Sequence, residues 1–358
     1  MHLLTKEAAR IGDIFNGANI IPSYTIRETE FTADLSRPEN APLAIGRKVL
    51  TGLFTTSQVK IPTNIEVSCD NLAEAEKFTA SAFYQKDHVT YHLRRIAHKG
   101  GMSIMNLADS STIGVINDPE CELYQIVETL RPAYVSVHLG WSVEEVLLGA
   151  NGNHDRPAPG SRQIPESVLA ERIIENVKKL KQNLEKAGYA RPVLIETLDY
   201  HEGGAYEMVT DPDFIMNVMK RSDARFLIDF GHLLCSAKNN GIYPPECYMD
   251  YVKKVVNAET IGLIDEFHIA VPARQGPRQY EDLHRPLTST DAAGREFVEI
   301  MHHIFHLREQ QGIAQPVIVN FETGIANAEK EIKALAAVLA WTAVGRTMIP
   351  NSFSPYAI

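Results

Sequence analysis

The chain has 358 residues, 44% hydrophobic and 22% charged, enough for one large barrel or two ordinary domains. Its formal charge of −10, from 35 basic and 45 acidic residues, argues against broad attraction to nucleic acid or to an anionic membrane surface. No apolar run approaches the roughly 18–20 residues of a membrane-spanning helix; the start MHLLTKEAARIGDIF does not read as a signal peptide, and Cys69, Cys121, Cys235 and Cys247 form no CxxC pair, so the cytoplasm is the expected compartment.

The first 60 residues are the hardest to read, with ANIIPSYT (18–25) the best candidate for a first strand. IPTNIEVS (61–68) is a strand, followed by a helical stretch near 70–83 opened by Asp70 or Asn71. GMSIMNLA (101–108) reads as the third strand, and PAYVSVHL (132–139) as the fourth after a helical pattern at 118–130. The segment 165–188 has apolar residues at helical spacing, Pro at its start and Gly at its end. Strand 192–197, helix 211–221, strand 225–230, helix 246–257, strand 261–268, helix 290–311, strand 316–321 and helix 326–344 complete the series. This alternation, with no GxGxxG phosphate loop, predicts an α/β fold: a single (β/α)8 TIM barrel over residues 1–358. Residues 1–60 then supply the first strand and decoration, and 326–358 the last helix and a tail. Long loops at 141–164 and 270–289 follow strand C-termini, the face where barrel active sites lie.

Strand ends carry the chemistry. The runs PAYVSVH, PVLIE, RFLID, GLIDEFH and PVIVNFE are rich in Val, Ile and Leu, as doubly buried strands are, and each ends in an acid or an imidazole. One His or Glu after a strand is more often a cap or a surface residue; a succession of them calls for a common cause. The ordered candidate ligands are His98, His138, Glu196, Asp229, His232, His268, Asp282, His284 and Glu322. Asp229 and His232 lie three residues apart, and Asp282 and His284 form a D-x-H pair whose side chains share a face in extended backbone. The set mixes imidazole with carboxylate and has no thiolate, which suits Zn, Mn or Fe with open positions rather than a closed structural zinc site. Nine donors are too many for one ion and fit two or three divalent ions that share bridging carboxylates. Glu196 and Glu322 are the natural bridges and, with His232, the expected catalytic residues. Lys99, Arg274 and Arg278 are candidate anion-binding residues for a substrate, and Trp141 a candidate pocket wall.

With these residues in place, the chain resembles the endonuclease IV and xylose-isomerase-like barrel superfamily, over about residues 60–325. The segments VSVHLGW, VLIETLDY, FLIDFGHLLCSAKNNG and EFHIA with a later D-x-H look more like its multinuclear non-haem iron-dependent oxidative branch. Asp229-Phe230-Gly231-His232 follows the nuclease and isomerase pattern rather than the Asp-x-Asn-Asn run of that branch. The resemblance implies a metal-dependent enzyme, with Fe favoured and Zn or Mn as alternatives, that uses O2 on a peptide or a small amino-acid-like substrate, with a partner protein presenting it in some relatives. An endonuclease IV-like phosphodiester hydrolase and a sugar isomerase or epimerase are the alternatives. The acidic balance counts against nucleic acid, and no membrane association is expected.

Overall fold

Eight strands pair edge to edge until the last meets the first. In chain order the barrel strands are β1 (Ile20–Ile26), β2 (Asn64–Val67), β3 (Val89–His92), β6 (Val135–His138), β9 (Val193–Glu196), β10 (Arg225–Asp229), β11 (Ile264–Ile269) and β14 (Val317–Phe321). All pairings are parallel, in the closed order β1-β14-β11-β10-β9-β6-β3-β2, the architecture of a (β/α)8 TIM barrel. Three two-stranded ladders decorate it: β4 (Arg95–His98) with β5 (Gly101–Ile104), β7 (Val146–Leu147) with β8 (Arg156–Pro157), and β12 (Val271–Gly276) with β13 (Gln279–Arg285). This computed structural model describes residues 11–343 except 12, 34, 45, 46, 48–62, 100, 110, 119 and 149–154. The expected C-terminal tail and part of the expected N-terminal decoration lie outside the described residues.

Helices cover the barrel because their apolar residues recur on one side. In Glu166–Lys186, Leu169, Ile173, Val177, Leu180 and Leu184 are buried at spacings of three and four, which is one helix face. The outward strand residues meet such faces in a continuous core that includes Val135, Val137, Val193, Ile195, Phe226, Ile228, Phe267, Val317 and Val319. Among the described residues no helix is long and apolar enough to cross a membrane.

Inside the barrel the side chains are layered. Tyr134, Leu194, Leu227 and Ile318, with Ile21 packed against them, plug the N-terminal end. Above the plug lies a polar layer. Asn64 Nδ2 donates to Ser23 Oγ at 3.1 Å and to Thr90 Oγ1 at 3.0 Å. Thr25 Oγ1 and Asn320 Nδ2 donate to Glu66 Oε1 at 2.8 and 3.0 Å. The third layer, at the strand C-termini, is imidazole and carboxylate.

Seven barrel strands fall where the apolar runs place them; the third does not. Residues 101–104 form one arm of a surface hairpin, with Met102 49% and Ile104 37% exposed. The barrel strand is β3, whose sequence Val-Thr-Tyr-His alternates apolar and polar residues. Thr90 and His92 point into the polar interior, so β3 lacks the unbroken apolar run that marks its neighbours.

Candidate metal centre

Each barrel strand aims alternate residues inward, so its last inward residue stands at the mouth. His92, His138, Glu196, Asp229 and His268 occupy such positions at the ends of β3, β6, β9, β10 and β11, and Glu322 follows β14 directly. His92 Nε2 is 3.2 Å from His138 Nε2 and 3.6 Å from Glu196 Oε2, which is itself 3.4 Å from His138 Nε2. Two nitrogens that share one ion at about 2.1 Å each stand roughly 3 Å apart, so this separation suits a shared ion. His268 Nδ1 lies 3.6 Å from Glu196 Oε1 and 3.3 Å from Glu322 Oε1. Donor atoms of His92, His138 and Glu196 lie within 4.8 Å of one another, as do those of Glu196, Asp229 and His268. Glu196 is common to both groups, the position a bridging carboxylate takes.

The remaining donors come from elements just above the strands. Asp229 caps the helix Phe230–Asn239: its Oδ1 accepts from His232 N at 2.7 Å, which leaves Oδ2 for the mouth and sets His232 in the first turn. His232 Nδ1 donates to the Thr197 carbonyl at 2.7 Å, so Nε2 faces Asp282 Oδ2 at 3.4 Å. Gly231 is required here, because a Cβ would stand 2.4 Å from the Ala270 carbonyl oxygen and 3.0 Å from Asp229 Oδ1. Asp282 and His284 sit on β13 in a bulge. Val271 pairs with Arg285 and Ala273 with Glu281, so one residue of β12 opposes three of β13. With φ of 45° at His284, the bulge brings His284 Nε2 to 2.9 Å from Asp282 Oδ2 and 3.5 Å from Glu322 Oε2.

The atoms that converge on the mouth lack hydrogen-bond partners. Glu196 Oε2, Asp229 Oδ2, His268 Nδ1, Asp282 Oδ1 and Glu322 Oε2 are all buried and unbonded, a concentration that folded proteins otherwise avoid. Their electrostatics match. Burial alone would raise the Glu196 carboxyl, but His138, His92 and His268 reverse this and hold it well below the usual range. Burial lowers the His268 and His232 imidazoles, yet the carboxylates of Glu66 and Glu322 raise the first, and Asp229 and Asp282 the second, well above ordinary values. Glu322, assisted by Asp282, lifts His284 to about 9, whereas burial pushes His92 down to about 4. Protons on imidazoles thus compensate the carboxylates; divalent ions would do the same while displacing those protons.

Beneath the donors, Glu66 orients one of them. Its Oε2 accepts from His268 Nε2 at 2.9 Å, which leaves Nδ1 as the ring atom facing the mouth, where a bound ion would displace its proton. Glu66 is fully enclosed by this bond and those from Thr25 and Asn320.

Eight of the expected ligands therefore meet at one mouth, and the ninth lies apart from them. His98 lies on hairpin β4–β5, where its ring meets Ser103 Oγ at 2.8 Å and Asp118 Oδ2 at 3.9 Å, and it does not line the mouth cavity. His92 takes the place expected of it. The signal was present in VTYHL, a short stretch ending in His. The expected substrate contacts lie elsewhere too. Lys99 pairs with Glu120 at 3.2 Å, Arg274 and Arg278 are exposed on the β12–β13 hairpin, and Trp141 Nε1 donates to Asp155 at 3.0 Å. None of the four lines the cavity of about 460 Å³ above the donors; Arg27, Arg94 and Arg95 do. Sequence reasoning passed over these three because they follow the two strands it placed least well.

Comparison with known proteins agrees with this geometry. The family model described as "RiPP precursor modification enzyme MbnB/TglH/ChrH" matches residues 48–334. A UPF0276 protein of Vibrio vulnificus (strain YJ016) is 25% identical over 210 residues, 58% of this chain and 61% of that one. A UPF0276 protein of Acaryochloris marina is 24% identical over 185 residues, 50% and 58% of the two chains. The chain thus spans about three fifths of the length of these curated relatives. Among solved structures, a D-tagatose 3-epimerase-like protein superposes with a TM-score of 0.53 at 12% identity, covering 91% of this chain and 99% of that one, a likeness of fold. Endonuclease IV from Thermus thermophilus gives 0.47 at 14% identity, covering 90% and 99%.

Proposed function

The chain belongs to the RiPP precursor modification enzyme family MbnB/TglH/ChrH, and on that premise we propose that it is an iron-dependent enzyme that oxidatively modifies a precursor peptide, using O2. The observation that carries the reading is the set of converging, unbonded donors at an open mouth: imidazole and carboxylate, no thiolate, with sites left for substrate. These residues fit divalent ions. His92, His138 and Glu196 would hold one, Glu196, Asp229, His268 and Glu322 a second, and His232, Asp282 and His284 a third. Bound iron would supply one-electron and O2 chemistry that side chains lack.

The chain's own residues supply positioning and proton control. Glu66 and the Thr197 carbonyl lock the rings of His268 and His232, so that both turn their other nitrogen to the mouth. Glu196 and Glu322 join the donor groups, and His284, 40% exposed on the outer lip, stands where a proton can pass between the mouth and solvent. The polar layer and the apolar plug close the barrel below, so peptide enters from the strand C-termini alone. A partner protein that presents the peptide is part of this proposal.

The test is to incubate iron-loaded protein with synthetic cysteine-containing peptides and follow peptide mass and O2 uptake. An iron- and O2-dependent mass change supports the reading. Full activity with zinc alone, or without O2, overturns it.

A further inference from the structure

We propose that Arg27 and Arg94 form a carboxylate-binding subsite on the rim of the mouth, so that the substrate peptide carries an anionic group beside the residue to be modified. The inference rests on the peptide-modifying reading and adds to it the charge of what is bound.

Three guanidinium side chains line the mouth cavity, and they are not equivalent. Arg95 is paired with Asp70 at 2.5 Å. Arg27 and Arg94 line the same cavity, are exposed, and among the described residues have no carboxylate partner. Only their main chains are tied down. Arg27 N donates to Glu30 Oε2 at 3.0 Å, and the Arg94 carbonyl accepts from Met105 N at 2.9 Å at the base of hairpin β4–β5.

Their places in the fold are neighbouring. Arg27 follows β1 directly and Arg94 lies two residues beyond the end of β3; β1 and β3 flank β2. Two residues of extended chain reach about 7 Å, so an anion held by Arg94 sits within one or two residues of a group bound at His92. Glu28, Asp70 and Glu74 line the same cavity, but Glu28 is paired with Lys77 and Asp70 with Arg95, so neither neutralises Arg27 or Arg94.

Charge makes the pair conspicuous. The chain carries a formal charge of −10, and the third arginine of this cavity, Arg95, is held by Asp70. Two or three divalent ions on Glu196, Asp229, Asp282 and Glu322 leave the donor layer neutral or positive, so metal loading does not quench the arginines. A peptide carbonyl offers a guanidinium only a neutral acceptor, and an aliphatic side chain offers none. A carboxylate, with two acceptor oxygens matched to the guanidinium fork, does. That carboxylate is either the peptide's C-terminus or an acidic side chain next to the modified residue.

Four probes separate these sources: Ac-Ala-Cys as the free acid, its C-terminal amide, Ac-Asp-Cys amide and Ac-Asn-Cys amide, each with a thiol to reach the metal layer. They are titrated calorimetrically into iron-loaded, full-length protein without O2, so no turnover is needed. We expect the acid to bind at least about tenfold tighter than its neutral counterpart in one of the two pairs, the scale of a charge-assisted contact. In Arg27→Gln/Arg94→Gln that preference disappears, while the neutral probes keep their Kd. Equal affinity within both pairs, a preference that survives in the double variant, or no binding of any probe at millimolar concentration overturns the subsite. The oxidative reading stands or falls separately on the peptide mass change. Charge selectivity without oxidation would leave the subsite standing and the reaction wrong.

Discussion

Replacing Glu66 by Gln tests whether the polar layer sets the state of a donor. The wild-type carboxylate accepts three hydrogen bonds: from Thr25 at 2.8 Å, Asn320 at 3.0 Å and His268 Nε2 at 2.9 Å. An amide has one accepting oxygen and one donating NH2. If its oxygen keeps Thr25 and Asn320, its NH2 meets His268 Nε2, which must then accept. The imidazole proton is then held on Nδ1, the atom that stands 3.3 Å from Glu322 and 3.6 Å from Glu196, where it shuts out an ion. The opposite orientation sets two donors against the NH2 in a site closed to water. Losses of this kind cost about 10–100-fold in metal affinity, or roughly 1.4–2.7 kcal/mol. The assay is competition with a chelator for iron under anaerobic conditions, together with thermal unfolding of the metal-free protein to confirm the fold. Wild-type affinity for every equivalent of metal in Glu66→Gln would show that Glu66 does not set the state of His268.

Three further outcomes follow. His92→Ala should lose at least one equivalent of bound metal and His98→Ala none; elemental analysis that ranks them the other way would restore His98 as the ligand. Gly231→Ala places a Cβ 2.4 Å from the Ala270 carbonyl oxygen, and overpacking of this kind costs about 1–3 kcal/mol; unchanged melting and metal content would contradict so close an approach of the two chain segments. Glu331, buried on the helix Ala328–Ala343 and bonded by Thr323 Oγ1 at 2.7 Å, is raised by burial from 4.5 to about 7. The folded state therefore keeps this proton after the unfolded state has lost it, so stability falls as pH rises between the two values, by about 3 kcal/mol in all. Glu331→Gln should flatten the melting-temperature profile across that window, and an unchanged slope would show that Glu331 is not its source.

Much of the site was legible because burial on both faces writes a strand as an apolar run, and the functional residue ends the run. VLIE and FLID needed no structure to be read as strands that deliver Glu196 and Asp229. The same rule misled at the third strand. VTYH faces the polar layer, so its alternation looked weaker than the apolar stretch at 101–108, whose first four residues form an arm of the exposed hairpin. That displacement exchanged His98 for His92. The D-x-H pair was found by spacing, but the three-against-one bulge that turns it toward the mouth is a property of the β12 pairing, absent from its own sequence. Glu66 and the mouth arginines were out of reach for another reason. Their significance lies in contacts across the barrel, between residues as far apart as Glu66 and His268.

Everything proposed for the reaction depends on this mouth holding more than one redox-active ion. Element-resolved metal analysis of protein purified with and without air, expressed per chain, decides the point. Two or three irons per chain are expected, with fewer in the His92→Ala variant. Three zincs, or a single manganese or magnesium that supports full activity, would contradict an iron-dependent oxidative centre.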